Sequence, residues 1–296
     1  MTVTTDHFRL QGHSLLHLEK GCQDYSYSFT TKAGLSVALV SDGCSSANNS
    51  DIGSVQMVLA ASAVIADWFP YRLDKPEKAN SQQLAHEFES LLLIELQKTY
   101  DWHRRSPFLD EKFLDATLVL AATYKGLSYV FMFGDGHFTV DYDDDTFELY
   151  SVDSTAALEG VEHSMPNYLA YQVGSPRLPG YLALNPLREF SLSTYHAGQW
   201  GEEDKIRDYR VTTPITLCIE PAAPRNLRSI TVSSDGIGTF NNLTTRQAAL
   251  QLYRYPADSK GVILRRKMLF NSTRTWPKAG ITHHDDLGAA AIIWQK

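Results

Sequence analysis

The sequence predicts one mixed α/β domain over residues 1–296, with helix pairs packed on β-sheets. Three observations predict it. Strand-like runs recur through the chain, and long helical stretches lie between the first of them. The runs on either side of a proline-dense segment at 155–225 are alike, so they belong to one sheet system rather than to two domains in series.

The elements follow in order. "LSVALVS" (35–41), "ATLVLAAT" (116–123), "LSYVFMF" (127–133) and "SITVSS" (229–234) are rich in β-branched or aromatic residues and read as strands. "GAAAIIW" (288–294) is a weaker strand, carried by its Ile-Ile-Trp end. "YSYSF" (25–29) alternates and reads as strand packing, not as a nucleic-acid platform. "SVQMVLAASAVIADWF" (54–69) is apolar nearly all round and reads as a buried helix. "SQQLAHEFESLLLIELQKTYDWH" (81–103) repeats apolar residues at helical spacing behind a Ser cap. "DKPEKAN" (74–80) is the loop between these two helices, and another helical stretch opens near Thr244. Segment 155–225 holds Pro166, Pro176, Pro179, Pro186, Pro214, Pro221 and Pro224. That density predicts an irregular insertion of short strands and turns lying over or beside the core.

Composition narrows the function classes. With 43% hydrophobic and 21% charged residues, the chain has material for a sizeable core. A net charge of -7 repels phosphate backbones, so no nucleic-acid partner is expected. Part of the acidity sits in "DYDDDTFE" (141–148), which reads as a solvated turn between strands. Cys22, Cys44 and Cys218 are odd in number and widely spaced. They make neither a disulfide framework nor a zinc ligand set, and a reducing, cytoplasmic setting is expected. The start "MTVTTDHFRLQGHSLLHLEK" lacks the pattern of a signal peptide. No stretch approaches the roughly 18 apolar residues of a membrane span, so no membrane partner is expected.

The chemistry lies in aspartates at strand ends. "VALVSDG" ends on Asp42 and Gly43, "VFMFGDG" on Gly134, Asp135 and Gly136, and "ITVSSDG" on Asp235 and Gly236. "HHDDLGAAAII" places Asp285 and Asp286 before a strand, and Asp24 precedes "YSYSF". A single Asp-Gly after a strand is an ordinary turn. Several in one chain bring carboxylates together if the strands lie side by side. Converging carboxylates repel and resist burial unless a cation compensates. Hard ions such as Mn²⁺ or Mg²⁺ take oxygen ligands. Gly43 leaves its carbonyl free to approach such an ion. Two ions roughly 3.5–4 Å apart and sharing one carboxylate hold a bridging hydroxide for in-line displacement at phosphorus.

The ordered set "CQD … VALVSDG … ATLVLAAT … GDG … SSDG … DD" resembles the metal-dependent serine/threonine protein phosphatases of the type 2C family. The resemblance runs from about residue 10 to 294. It is closest to a bacterial branch with "GDG" in place of "GDS" and a Gly-His-Gly-x-CQD opening, here Gly12, His17, Gly21 and residues 22–24. "NYLAY" (167–171) resembles a further segment of that branch.

The resemblance implies an α+β fold of two stacked antiparallel β-sheets flanked by helices on both sides, an αββα sandwich with metals in a cleft at one edge. It implies hydrolysis of phosphoserine and phosphothreonine in proteins, without a phosphoenzyme, and a phosphoprotein substrate with a cognate kinase. By carry-over Asp42 bridges two Mn²⁺ or Mg²⁺ ions, Gly43 gives its carbonyl to one, and Asp235 and Asp285 hold the other. Asp24 ligates directly or through a water, so Asp24 and Asp42 carry the catalysis. Asp135 matches a residue that helps a third, weaker metal. The 155–225 insertion stands where the family carries its variable flap.

Three departures bear on the site. The phosphate-holding arginine is replaced by "HLEKG", leaving Lys20 or His17 for that role, or no residue at all. The usual Asp-Asn-x-Thr ending reads "DDLG", so Asp286 is the alternative to Asp285. Thr239 stands where an aspartate is usual, which weakens the third metal. His283 and His284 are candidates for a ligand or general acid against a reading as a polar loop pair, and His137, after "GDG", is a candidate to reach the cleft. Cys22 and Cys44 read as small core residues. Two other functions stay open: a regulator of this fold that binds a partner without turnover, and a metal-dependent phosphoesterase acting on small molecules.

Overall fold

The computed structural model of the protein describes residues 2–14, 21–75, 80–158, 160–174, 177–208, 210–219, 226–255 and 263–295. Strand alternation sorts its side chains into layers. In β3 (Ser36–Asp42) every residue up to Ser41 is buried, because both faces of the strand are covered. Val37 and Leu39 face one way with Leu118, Leu120 and Phe131, against helices α1 (Ser50–Leu73) and α2 (Ser81–His103). Ala38 and Val40 face the other way and meet Phe138, Val140, Ile230, Val232 and Ile292 of a second sheet.

Among the described residues the smaller sheet has five strands in the order β11 (Ile215–Ile219), β5 (Leu127–Phe133), β4 (Leu118–Tyr124), β3 and β2 (Asp24–Thr30). The larger has eight among the described residues. Its order is β1 (Thr2–Leu10), β13 (Leu287–Gln295), β12 (Leu227–Ser233), β6 (Gly136–Tyr142), β7 (Phe147–Leu158), β9 (Leu187–His196) and β10 (Gln199–Asp208), with β8 (Val161–Ser164) paired to β7. All pairings are antiparallel. The outer face of the larger sheet, through Phe147, Ala289, Ala291 and Ile293, is covered by α4 (Thr245–Tyr253), α5 (Ile263–Phe270) and α6 (Trp276–Ala279). The result is the expected sandwich of two antiparallel sheets between helical layers.

Three expectations change. Among its described residues segment 155–225 is more regular than expected: beside short elements it supplies the ten-residue strands β9 and β10, which widen the larger sheet. Its prolines stand between elements, as Pro186 and Pro214 do before β9 and β11, or in the first turn of α3 (Leu178–Leu182), as Pro179 does. Proline is tolerated there because no ladder or helix hydrogen bond is lost. Pro176, Pro221 and Pro224 lie outside the described residues. The cap of α2 is Asn80, not Ser81, in a reciprocal capping box with Gln83. Helix α1 is long and apolar enough to cross a membrane by length and composition, contrary to the sequence reading. One face of it is buried against the smaller sheet, while Leu59 and Tyr71 on the other are exposed. The 74–80 loop lies in part outside the described residues.

Candidate metal centre

Register brings the aspartates to one edge of the sandwich. Asp24 opens β2 and Asp42 closes β3, and the two are direct partners across the strand pair. Ser233 at the end of β12 pairs with Ala289 of β13 and with His137 of β6. The turns after β12, before β13 and between β5 and β6 therefore lie together. Gly134 (φ +85°) and Gly136 (φ +144°) take backbone conformations that favour glycine, where the chain passes from the smaller sheet to the larger. Asp135 sits at that crossing, buried. A Cβ on Gly236 would stand 1.7 Å from Asp286 O, so only glycine lets the Asp235 turn meet residues 285–286.

Two hydroxyls lock these segments together. Ser234 Oγ donates to Asp24 Oδ2 at 2.6 Å and accepts from Gly288 N at 3.0 Å. Thr239 Oγ1 donates to Gly236 O at 2.8 Å and accepts from Asp285 N at 3.1 Å. Thr239 thus stitches the Asp235 turn to Asp285.

The carboxyls are crowded. Burial pushes Asp24 up to about 7, against hydrogen bonds with Asp42 and from Ser234. Burial, then the charges of Asp24 and Asp235 and, more weakly, Asp285, hold Asp42 well above the usual carboxylate range. Asp235 is pushed up to about 6 by burial, Asp285 and Asp153. Asp135 is held well above its ordinary value by burial, Asp153 and Asp235. Among the described residues no Lys, Arg or His forms an ion pair with Asp24, Asp42, Asp135, Asp235 or Asp285. Asp24 Oδ1 and Asp135 Oδ1 are buried without a hydrogen-bond partner.

Among the described residues no three His, Cys, Asp or Glu side chains stand arranged to hold a metal ion by themselves. The donor chemistry still fits a hard divalent ion. It is all oxygen, it carries excess negative charge, and two of its buried oxygens lack partners.

The two aspartates before β13 divide their work. Asp286 is buried and accepts from Gly12 N at 2.7 Å and Gln23 N at 2.5 Å, tying down the N-terminal segment. Asp285 adds its charge to Asp42 and Asp235. Gly43 is needed for a reason beyond its carbonyl: a Cβ there would stand 2.4 Å from Ser50 O at the start of α1.

The histidines are mostly structural. His283 is buried, its Nε2 3.0 Å from Gln11 O, and burial pulls it down to about 4. His137 is buried with Nδ1 2.8 Å from Ser151 Oγ and is likewise held near about 4 by burial. Burial favours the neutral form of both, which disfavours His283 as a general acid, while His137 lines the cavity beside the carboxyls. His284 is exposed. Burial and the nearby Asp24 push the Cys22 thiol up, which keeps it protonated. His17 and Lys20 lie outside the described residues.

Sequence reasoning missed Ser234 and Asp153. "SSDG" contained the first, but nothing in it distinguished the bridging serine from a strand residue. Asp153, on β7, reaches the group only through strand register. A cavity of about 380 Å³ opens beside the cluster, lined by Asp135, His137, Asp153, Asp235, Thr239 and Arg246 among others.

The family described as protein phosphatase 2C matches residues 11–259 of the chain. No match was found among curated protein sequences. Among solved structures, the chain is similar to serine/threonine phosphatase Stp1 from Staphylococcus aureus (10% identity, TM-score 0.50, covering 100% of this chain and 96% of that one). It is similar to the serine/threonine phosphatase of S. agalactiae (16% identity, TM-score 0.48, 99% and 100%). It is also similar to a C. elegans sex-determining protein (12% identity, TM-score 0.51, 99% and 65%). At these identities the structural likeness is one of fold.

Proposed function

The chain belongs to the protein phosphatase 2C family, and from that membership we propose that it hydrolyses phosphoserine and phosphothreonine in proteins with two Mn²⁺ or Mg²⁺ ions. The observation that carries this reading is the crowding of Asp24, Asp42, Asp235 and Asp285 at one sheet edge, uncompensated by any cation among the described residues. Asp42 would be shared by both ions, with the Gly43 carbonyl on one and Asp235 and Asp285 on the other. Asp24 would ligate directly or through a water. When bound, such ions supply an activated water and positive charge for the phosphoryl oxygens.

The chain's own residues do the remaining work. Ser234 fixes the Asp24 carboxylate by donating to it. Gly236 and Thr239 hold Asp235 and Asp285 at one place. Arg246 and Lys205 line the adjoining cavity but are paired with Glu203 and Glu189 of the same lining, so the charge that would draw a phosphate there has to come from the ions. Asp135 and Asp235 face that cavity, where a third ion would bind weakly, because Thr239 brings a hydroxyl rather than a carboxylate. The partner is a phosphoprotein, with a kinase that phosphorylates it. A reducing, cytoplasmic setting is part of this reading, from the odd and widely spaced cysteines of the sequence.

The test is hydrolysis by EDTA-stripped protein of an aryl phosphate, a phosphothreonine peptide and small phosphoesters, each with and without added Mn²⁺. Metal-dependent release from the peptide is the expected result. Release from small phosphoesters alone would move the substrate class. No release from any of them, with Mn²⁺ bound, would sink the enzymatic reading.

A further inference from the structure

The backbone that carries Asp42 is braced by a neighbouring segment, and that segment is anchored by a charged pair from elsewhere in the chain. Thr117 N donates to Asp42 O at 2.8 Å, and Cys44 N donates to Asp115 O at 2.8 Å. Gly43 bridges Ala116 between them. Asp42 N donates to Thr117 Oγ1 at 3.3 Å, and Ser41 Oγ donates to Thr117 O at 2.6 Å. Residues 115–117 therefore run as a rail along 41–44.

The rail starts at Asp115, whose carboxyl is buried. Arg177 grips it with both arms: Nη1 donates to Oδ2 at 2.7 Å, and Nη2 donates to Oδ1. A forked contact of this kind fixes the orientation of the carboxylate as well as its charge. Arg177 is itself held. Its guanidinium lies 5.1 Å from the ring centroid of Tyr171, and its N donates to Tyr171 O at 2.8 Å. The Tyr171 segment is docked on α2, where Gly174 N donates to Gln97 Oε1 at 3.0 Å. A Cβ on Gly174 would stand 2.4 Å from the Tyr100 ring, so the docking is close.

We propose that Arg177 and Asp115 are positioning residues for the metal centre: their pair holds rail 115–117 in register, and the rail sets the Asp42 carboxylate and the Gly43 carbonyl where a divalent ion takes them. This rests on the reading that Asp42 and Gly43 hold metal. Neither Arg177 nor Asp115 touches ion or substrate. A buried carboxylate that loses its forked guanidinium partner must protonate, move or admit water. Each outcome loosens the rail.

The test is Mn²⁺ binding by calorimetry, with Tm and the Mn²⁺ dependence of peptide hydrolysis, for the unsubstituted chain, Arg177→Ala, Arg177→Lys and Asp115→Asn. Arg177→Ala is expected to weaken Mn²⁺ binding by about 10- to 100-fold, the range for groups that orient a metal ligand. Arg177→Lys keeps the charge without the fork and should fall between it and the unsubstituted chain. If Arg177→Ala does not fold, Asp115→Asn keeps the side-chain volume and should shift Mn²⁺ binding in the same direction. A lowered Tm with Mn²⁺ affinity unchanged in the folded variants would mean a merely structural pair and would overturn the proposal. An unsubstituted chain that binds no Mn²⁺ and releases no phosphate would overturn the metal-centre reading, and this inference with it.

Discussion

Asp42 faces negative charge from Asp24, Asp235 and Asp285 at once. Asp42→Asn should lower turnover by far more than tenfold, a loss above about 1.4 kcal/mol, because the ions lose their common ligand. Its metal-free Tm should hold or rise, since one of the repelling charges is gone; melting in EDTA checks this. Asp285 and Asp286 should part in opposite directions. Asp286→Asn leaves a neutral oxygen for one of Gly12 N and Gln23 N and sets an NH2 donor against the other, which should cost about 1–3 kcal/mol of stability, with Mn²⁺ affinity kept in the folded chain. Asp285→Asn should keep stability and lose Mn²⁺ affinity. Urea unfolding and calorimetry on both variants decide it, and a larger affinity loss at Asp286 would move the ligand by one residue. The acidic residues were legible because each adjoins a strand-like run and, at three of them, a glycine. Ser234 and Arg177 were not, since their partners Asp24 and Asp115 lie 210 and 62 residues away in sequence.

Strands β3, β4, β5 and β12 were readable because burial on both faces makes them continuous apolar runs. Strands β9 and β10 were not. β10 reads "QWGEEDKIRD" and is exposed along most of its length at the sheet edge, so neither an apolar run nor clean alternation marks it. Its charges suit an edge that must not recruit another strand. Proline density misled for the same segment, because proline punctuates a chain as readily as it disorders one. Glycine carried more positional information than the reading drew from it. Gly236→Ala would force backbone against backbone at Asp286, which no rotamer relieves. It should cost at least about 3 kcal/mol, the upper end for overpacking, and lower Mn²⁺ affinity as the Asp235 turn and Asp285 part. Stability near that of the unsubstituted chain in urea would mean that the two turns do not need this contact.

Across the molecule, three buried layers join the two sheets to their helices, and the charge crowding sits at one edge of the middle layer. That crowding sets a pH dependence. With metal removed, Asp24 and Asp235 titrate at about 7 and about 6 in the folded chain, above their unfolded values near about 4. The folded state then binds more protons than the unfolded one. The stability these groups contribute is present below the unfolded value and is lost as pH rises through the folded one. Buried His137 and His283, held near about 4, act in the opposite sense only below their unfolded value of about 6.5. The Tm of EDTA-treated protein should therefore fall as pH rises through about 6 to 7, free of the histidines above about 6.5, and level off by about 8, and added Mn²⁺ should cancel the fall by taking the place of the protons. A flat Tm in EDTA over that window would mean that the carboxyls are not crowded in solution.

The most direct measurement is phosphate release from a phosphothreonine peptide by metal-stripped protein, titrated with Mn²⁺, for the unsubstituted chain and Asp42→Asn side by side. Release that is absent without metal, saturates with Mn²⁺ and is lost in Asp42→Asn is the expected result. Release that ignores EDTA, or that survives Asp42→Asn at more than about a tenth of the unsubstituted rate, would contradict a phosphatase whose metal centre is built on Asp42.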